Sequence, residues 1–210
     1  MPKHTRVERF AAWNQLFDSM RQEADSISDE AIYEILYPLP WQRRDLSEQK
    51  KQQARQDYHT AVSMNLKIQE NLIKQFKAGN EYVLPDLFHS SDNIINIIEE
   101  QVLHPRQGEL WFSEGPPLQF GKYGVGVNSS VVPNKRIRGG GDRRYDWWRT
   151  DVDIPLDFDH DVIYAFYVED AIKLREQLGG RYDILTITLL GNRIGDFIKY
   201  ALEYTKKNIA

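Results

Sequence analysis

Residues Leu84–Val127 read LPDLFHSSDNIINIIEEQVLHPRQGELWFSEGPPLQFGKYGVGV, and they combine predicted strands, a short helix and a group of polar side chains. The mainly apolar run 84–88 predicts a first strand, which ends in His89, Ser90 and Ser91. Ser91 or Asp92 is expected to cap a short helix with isoleucines on its apolar face. This stretch therefore predicts a strand, a polar corner and a helix in succession.

Two further strands are predicted inside the same stretch, at residues 109–113 and 122–128. The pair His104-Pro105 ends the short helix before them, because proline cannot continue a helix. A histidine at a strand end, beside hydroxyls and a Gly- and Pro-rich corner, is compatible with a nucleotide pocket. The same residues also fit a plain turn, and the sequence leaves both interpretations open.

The order of a strand, His-Ser-Ser, a helix, a strand ending in Phe-Ser and a Gly-Lys-Tyr-Gly segment resembles the NAD-binding half of the ADP-ribosyltransferase superfamily. In particular, it is similar to the DNA-targeting and abortive-infection toxins of that superfamily. The resemblance implies that His89, Ser91, Ser113 and Tyr123 bind NAD, with the tyrosine stacked on the nicotinamide. It also implies a catalytic glutamate at the end of a later strand, for which Glu169 is the candidate, together with His89.

Composition excludes several classes of site. The 210 residues include 27 basic and 31 acidic side chains, and the net charge of −4 gives no global attraction to nucleic acid or to a membrane. The sequence has no cysteine, which excludes disulfides, thiolate nucleophiles and zinc–thiolate sites. No apolar run approaches the roughly 20 residues of a membrane span. The segment MPKHTRVERF leads into an amphipathic pattern rather than a signal core, so we expect a cytoplasmic protein without a membrane partner.

The first part of the chain is predicted to be helical. Apolar residues recur at helical spacing over 7–23, a second helix starts at Ser28, and a long polar helix covers 45–77, with its apolar stripe in the second half. Gly79-Asn80 ends this helix, and the later pattern is mixed. We therefore expect an α+β protein with a helical region 1–79, which offers a surface for a protein partner, and a mixed domain 80–210.

A basic and aromatic segment, NKRIRGGGDRRYDWWR, covers residues 134–149. Arginines neutralise phosphates and tryptophans stack on bases, so Arg143, Arg144, Trp147 and Trp148 form a candidate nucleic-acid site. In the other interpretation the tryptophans pack on the core and the arginines pair with the acidic run that follows.

That acidic run contains Asp151 and Asp153, which would share one face if residues 150–154 formed a strand. Together with Gly140-Gly141 before them and Asp183 after them, they resemble a minimal nucleotidyltransferase, in which the carboxylates hold Mg²⁺ and the glycines hold a nucleoside triphosphate. A glycine stands here where that family has a serine. Solvated or ion-paired aspartates are the simpler alternative.

The C-terminal part is expected to add strands at 162–168 and 182–189 and a last helix at 194–204. Three functions are consistent with the whole pattern. The first is an NAD-dependent ADP-ribosyltransferase-like enzyme that acts on a macromolecular acceptor, including nucleic acid. The second is a Mg²⁺-dependent nucleotidyltransferase, and the third is a non-catalytic structural or inhibitory protein from a phage or bacterium.

Overall fold

The structure of the chain is a computed structural model that describes residues 5–79, 85–116, 121–133, 136–138 and 147–191. Within residues 5–79, four helices precede the sheet: α1 Arg6–Ser26, α2 Asp29–Leu36, α3 Pro40–Arg43 and α4 Glu48–Lys77. Hydroxyl side chains begin three of these helices, since Thr5, Ser28 and Ser47 each accept a hydrogen bond from the backbone three residues further on. The predicted last helix, 194–204, lies outside the described residues.

In the described residues after Gly79, the structure has nine strands and two further α-helices. The strands are β1 Leu87–Ser90, β2 Val102–Leu103, β3 Leu110–Ser113, β4 Tyr123–Val127, β5 Arg136–Arg138, β6 Trp147–Thr150, β7 Ile154–Pro155, β8 Val162–Ala165 and β9 Leu185–Thr186. The helices are α5 Ile94–Glu100 and α6 Val168–Gln177. Short 3-10 turns follow β4 and β9, at Ser129–Val131 and Ile187–Leu190.

Seven of the strands form one sheet in the order β5-β6-β3-β1-β4-β8-β9, and β2 pairs with β7 separately. All neighbours in the large sheet are antiparallel except β8 and β9, which are parallel and are joined through α6. A helical N-terminal region followed by a mixed sheet with flanking helices confirms the predicted α+β class.

Helices and sheet share one hydrophobic core. Leu16 of α1, Met64 of α4 and Phe88 of β1 are all at most 2 % exposed and belong to the same cluster of buried side chains. The change from helical to mixed structure falls near Gly79, as the sequence predicts. A division of the chain into two domains at that point stays a prediction.

The long helix α4 buries more of its length than the sequence predicts. The sequence leaves its first half either solvated or against a polar partner, whereas Ala54 and Tyr58 there are at most 2 % exposed and Arg55 is ion-paired with Asp29 of α2. Alanine and tyrosine do not mark an apolar stripe as isoleucine or leucine do, so the pattern does not reveal this contact. In the second half, Gln69 is 3 % exposed, and its amide bonds to Asn14, Asp18 and Arg21 of α1.

Two apolar runs form shorter strands than the sequence predicts. Of the run 162–168, only the first four residues are strand, and Val168 already begins α6. Of the run 182–189, only Leu185 and Thr186 are strand, and a 3-10 turn follows them. A short apolar run is equally suited to a buried strand or to the buried start of a helix, so its composition does not fix where the strand ends.

Two glycines of β4 lie beneath aromatic rings. A Cβ on Gly124 would come within 2.5 Å of the Tyr164 hydroxyl, and one on Gly126 within 2.9 Å of the Phe88 ring. Phe88 and Tyr164 are both fully buried and meet edge to face, with ring centroids 5.9 Å apart. Because Gly124 and Gly126 have no Cβ, they leave the space that this aromatic pair fills on one face of the sheet.

A single amide joins α4 to the last strand of the sheet. Asn65 accepts from the Thr186 N–H at 2.7 Å and donates to the Thr186 carbonyl at 3.1 Å. Both residues are 0 % exposed. The side chain thus satisfies both backbone groups of one buried residue, across 121 positions of the chain.

We predict that Asn65→Ala lowers the free energy of unfolding by about 2–4 kcal/mol, because it leaves two buried backbone groups of Thr186 without a partner. Urea denaturation gives the value. Asn71→Ala is the matched control, since Asn71 lies on the same helix and donates one exposed hydrogen bond to Asp159. Equal losses in the two variants would contradict the role of Asn65.

Candidate functional site

The polar side chains of the opening stretch lie where β1 ends and β4 begins. His89 is directly opposite Val125 in the antiparallel pair, and the Ser91 N–H donates to the Tyr123 carbonyl at 2.9 Å. Alternate residues of a strand point to the same face, and residues opposite each other share a face. His89 and Tyr123 therefore belong to one face at one end of the sheet.

The ring of His89 has a fixed orientation. Its Nδ1 lies 2.8 Å from the Trp111 carbonyl oxygen on the neighbouring strand β3, and its ring centroid lies 5.9 Å from that of Phe112. A carbonyl oxygen only accepts, so Nδ1 carries a proton, and in the neutral ring Nε2 is the acceptor. Burial lowers the pKa of His89 below its usual value, against the opposing effect of the bond to Trp111. The imidazole is therefore neutral at pH 7.

Ser90 points to the other face, where its hydroxyl lies 2.5 Å from the Tyr164 hydroxyl. Burial raises the pKa of this tyrosine, which is 0 % exposed. The sequence reasoning singled out neither member of the pair. A signal was present in the spacing of Tyr123-Gly-Val-Gly, because glycines at alternate strand positions leave room for aromatic rings from the neighbouring strands.

Tyr123 starts β4 and approaches the first turn of α6. Burial raises the pKa of its phenol, and the neighbouring Asp170 carboxylate raises it further. Asp170 is itself 9 % exposed, and Lys122 Nζ lies 3.5 Å from its Oδ1. The phenol of Tyr123 thus lies beside the largely buried Asp170 carboxylate, whose charge is partly neutralised by Lys122, the residue before β4.

Glu169 lies in the first turn of α6 rather than at the end of a strand, and its side chain is exposed. Its charge contributes to the raised pKa of Tyr123, as does that of Asp92, and it also contributes to the raised pKa of Tyr37. The strands β1, β4 and β8 are adjacent, so their ends bring His89, Ser91, Tyr123 and Glu169 to the same end of the sheet.

Ser113 does not join this group. It is directly opposite Phe88 in the pairing of β1 with β3, and therefore lies on the face away from His89. Its hydroxyl is fully buried and donates to the Gly115 carbonyl. The part expected of Ser113 in NAD binding has no support from this placement.

The three aspartates of the predicted metal site do not form one group of ligands. The backbone bends at 151–152, so Asp151 and Asp153 do not share a strand, and Asp153 accepts a 2.9 Å bond from His104, whose pKa it raises. Asp183 lies 3.8 Å from Lys67. Within the described ranges, no three acidic or histidine side chains are grouped to hold a metal ion. The described residues therefore do not form a site that fits Mg²⁺.

The tryptophans of the basic segment lie on β6. Both are half-buried; Trp148 donates from its Nε1 to the Glu114 carboxylate at 3.2 Å, and Trp147 is directly opposite Ser113. The adjacent Arg149 is ion-paired with Glu109. Arg143, Arg144 and Gly140-Gly141 lie outside the described residues.

Comparison of the chain with protein-family models, curated proteins and solved structures finds no match. In the part of the chain that the structure describes, no helix has the length and apolar character needed to cross a bilayer. The fold belongs to the α+β class. The polar residues at the end of its large sheet form the candidate functional site.

We predict that Asp170→Asn lowers the pKa of the Tyr123 phenol, because the neighbouring negative charge is removed while the shape of the side chain is kept. Ultraviolet difference titration of the tyrosines follows the change, and the same titration of Tyr123→Phe identifies the contribution of this residue. Glu176→Gln, on the exposed part of the same helix, is the control. An unchanged titration in Asp170→Asn would show that the carboxylate does not act on the phenol.

Proposed function

We propose that the chain is an ADP-ribosyltransferase-like enzyme that binds NAD at the end of the sheet marked by His89 and Tyr123. The observation that supports this proposal is the convergence of four of the five residues implied by the resemblance. His89, Ser91, Tyr123 and Glu169 come from three adjacent strands and their extensions. They are up to 80 residues apart in the sequence, so the fold, and not the sequence spacing, brings them together.

The donors and acceptors of this group fit a dinucleotide. A ribose hydroxyl needs an acceptor, and the neutral imidazole of His89 offers Nε2 because Nδ1 is held by Trp111. The hydroxyl of Ser91, which accepts from the Asn93 N–H at 3.1 Å, has a proton to donate. These two groups would hold the ribose and the amide of NAD.

Tyr123 would present its half-buried ring to the nicotinamide. An aromatic ring stacks well only when it is fixed, since ordering a mobile side chain costs free energy on binding. Asp170 lies against the phenol and Lys122 lies against Asp170, which limits the movement of the ring.

Glu169 would act as the bond to nicotinamide breaks. Bound NAD supplies an ADP-ribosyl group, and positive charge develops on its ribose as nicotinamide leaves. A carboxylate positioned beforehand stabilises that charge most where it is greatest, and therefore raises the rate more than the affinity. The exposed position of Glu169 at the start of α6 leaves it accessible to a ligand on the sheet end.

The acceptor in this proposal is a macromolecule, with nucleic acid as one option. The two tryptophans of β6 are half-buried and not fully enclosed by the core, and Arg149 lies next to them. Half-buried aromatic rings suit single-stranded nucleic acid because bases stack on them, and Arg149 would have to exchange its ion pair with Glu109 for a phosphate.

A non-catalytic interaction role is the alternative. It is favoured by an exposed apolar surface on α2 and α3, where Ile35, Leu39 and Trp41 are 37 %, 42 % and 66 % exposed. Large exposed aromatic side chains are frequent at the centres of protein interfaces. This role needs neither His89 nor Glu169.

We predict that His89→Ala and Glu169→Gln fail in different ways. His89→Ala should lose NAD binding, whereas Glu169→Gln should keep it and lose turnover by a factor of about 100 or more, the effect of removing one preorganised electrostatic group. Calorimetry measures binding, and transfer of label from NAD to protein, DNA and RNA acceptors measures turnover, together with nicotinamide release.

Glu176→Gln is the matched control for the glutamate variant, because it makes the same change on an exposed position of the same helix. It should behave as the wild type does. If the wild-type protein neither transfers label nor releases nicotinamide, the enzymatic proposal is wrong and the interaction role takes its place.

A further inference from the structure

An open cleft of about 510 Å³ lies at the opposite end of β8 from the proposed NAD site. Its walls are the second half of α4, the turn 157–161 before β8, and residues 181–183 before β9. Its volume is within the range of sites that bind small molecules, roughly 300–1,000 Å³.

The turn that forms one wall is held in place by its own hydrogen bonds. The Asp159 N–H donates to Asp157 Oδ1 at 3.0 Å, and the Asp157 N–H donates to Asp161 Oδ2 at 2.8 Å. Asn71 of α4 donates to the Asp159 carbonyl at 3.0 Å, which ties the turn to the facing wall. The cleft is therefore formed before any ligand binds.

Opposite charges line the cleft, and the cations already have neighbours. Lys67 lies 3.8 Å from Asp183. Arg181 donates from Nε to the Leu178 carbonyl, and its guanidinium lies 5.7 Å from the centroid of the Tyr182 ring. Neither cation is paired with Asp161, the half-buried carboxylate of the turn.

The surroundings of Asp161 disfavour the ionised form of its carboxyl group. Its pKa is raised to about 6, chiefly by burial and also by the Asp157 carboxylate, and the hydrogen bond from the Asp157 N–H and the charge of His160 only partly oppose this shift. A group with a strongly shifted pKa in a cleft marks a candidate binding site, because a ligand of opposite charge supplies the missing partner. The charge missing beside Asp161 is positive.

The remaining surface of the cleft suits an organic cation. Phe158 and Tyr182 meet edge to face with centroids 5.3 Å apart, and Leu72 and Ile163 also line the space. Aromatic faces attract ammonium and guanidinium groups, and apolar walls accept an aliphatic chain. The position of Arg181 over Tyr182 is an example of this attraction inside the cleft.

We propose that the cleft binds a small alkylammonium ligand, with its charged nitrogen against the Asp161 carboxylate and its aliphatic part against Phe158 and Tyr182. The ligand is a free diamine or a lysyl side chain, which share this chemistry.

Calorimetry of the full chain at pH 7.5 tests the proposal with 1,4-diaminobutane and, separately, with Nα-acetyl-lysine amide. Saturable binding of either one is expected, and the tighter of the two identifies the source of the ammonium group. Neutral 1,4-butanediol has the same chain length without the charge and should not bind. Sodium chloride at matched ionic strength controls for simple screening.

Asp161→Asn should weaken binding by about tenfold or more, because it removes the charge and keeps an oxygen for the Asp157 N–H. Glu70→Gln makes the same change at an exposed position of α4 away from the cleft and should leave binding unchanged. Should Asp161→Asn unfold, Tyr182→Leu provides the second test, with weaker binding expected from the loss of the aromatic face.

Binding should also weaken between pH 7.5 and pH 5, as Asp161 takes up a proton. The other charged or titrating groups that face it are Asp157, Asp159 and His160 of the turn, Lys67 of α4, and Arg181 and Asp183 before β9. In Asp161→Asn the pH dependence over this range should be smaller. Absence of saturable binding, equal affinity in Asp161→Asn and the wild type, equal binding of the diol, or displacement of the amine by Mg²⁺ would overturn the proposal.

Discussion

The position of the last strand depends on one side-chain amide. Among the described strands, β9 is at the edge of the large sheet, and the outward N–H and C=O groups of Thr186 have no described strand to pair with. Asn65 of α4 bonds to both groups, at a position that is 0 % exposed. A helix therefore closes the sheet edge with the hydrogen-bond pattern of a further strand, which also protects the edge from pairing with another chain.

This closure has consequences for the candidate site. The Thr188 N–H donates to the Phe166 carbonyl, and the Phe166 N–H donates to the Lys122 carbonyl, so a chain of backbone bonds runs from the segment after β9 to the start of β4. α6 connects β8 to β9 and is held at both ends by these strands. The start of α6, with Glu169 and Asp170, is thereby placed beside Tyr123.

Sequence reasoning predicted the elements better than their contacts. The α+β class, the long helices and five of the described strands follow from apolar periodicity and from caps such as Ser28, because these signals are local, whereas the short strands β2, β5 and β6 are not among the predicted elements. The function of a buried polar residue is not local. Gln69 interrupts an apolar stripe in the sequence, yet it is 3 % exposed because three polar residues of α1 surround its amide.

The same limit applies to the site. The resemblance implies that His89, Ser91 and Tyr123 act together, and strand pairing brings them to one end of the sheet. The opposite orientation of Ser113 depends on the register between β1 and β3, which a difference of one residue would reverse. The apolar run 162–168 likewise does not show that β8 ends at Ala165, and therefore does not show that Glu169 lies in the helix α6.

The ionisable groups near the two ends of β8 differ in the partners that the fold gives them. At one end, His89 has the Trp111 carbonyl as a partner and is neutral, and Asp170 has Lys122 nearby, so each group is compensated within the fold. At the other end, Asp161 receives one backbone hydrogen bond and faces Asp157, which has the same charge. A half-buried carboxylate whose pKa is raised in the folded state destabilises that state when it is ionised. Above pH 6 the fold therefore carries an unfavourable charge beside the cleft, and binding of a cation there would lower its free energy.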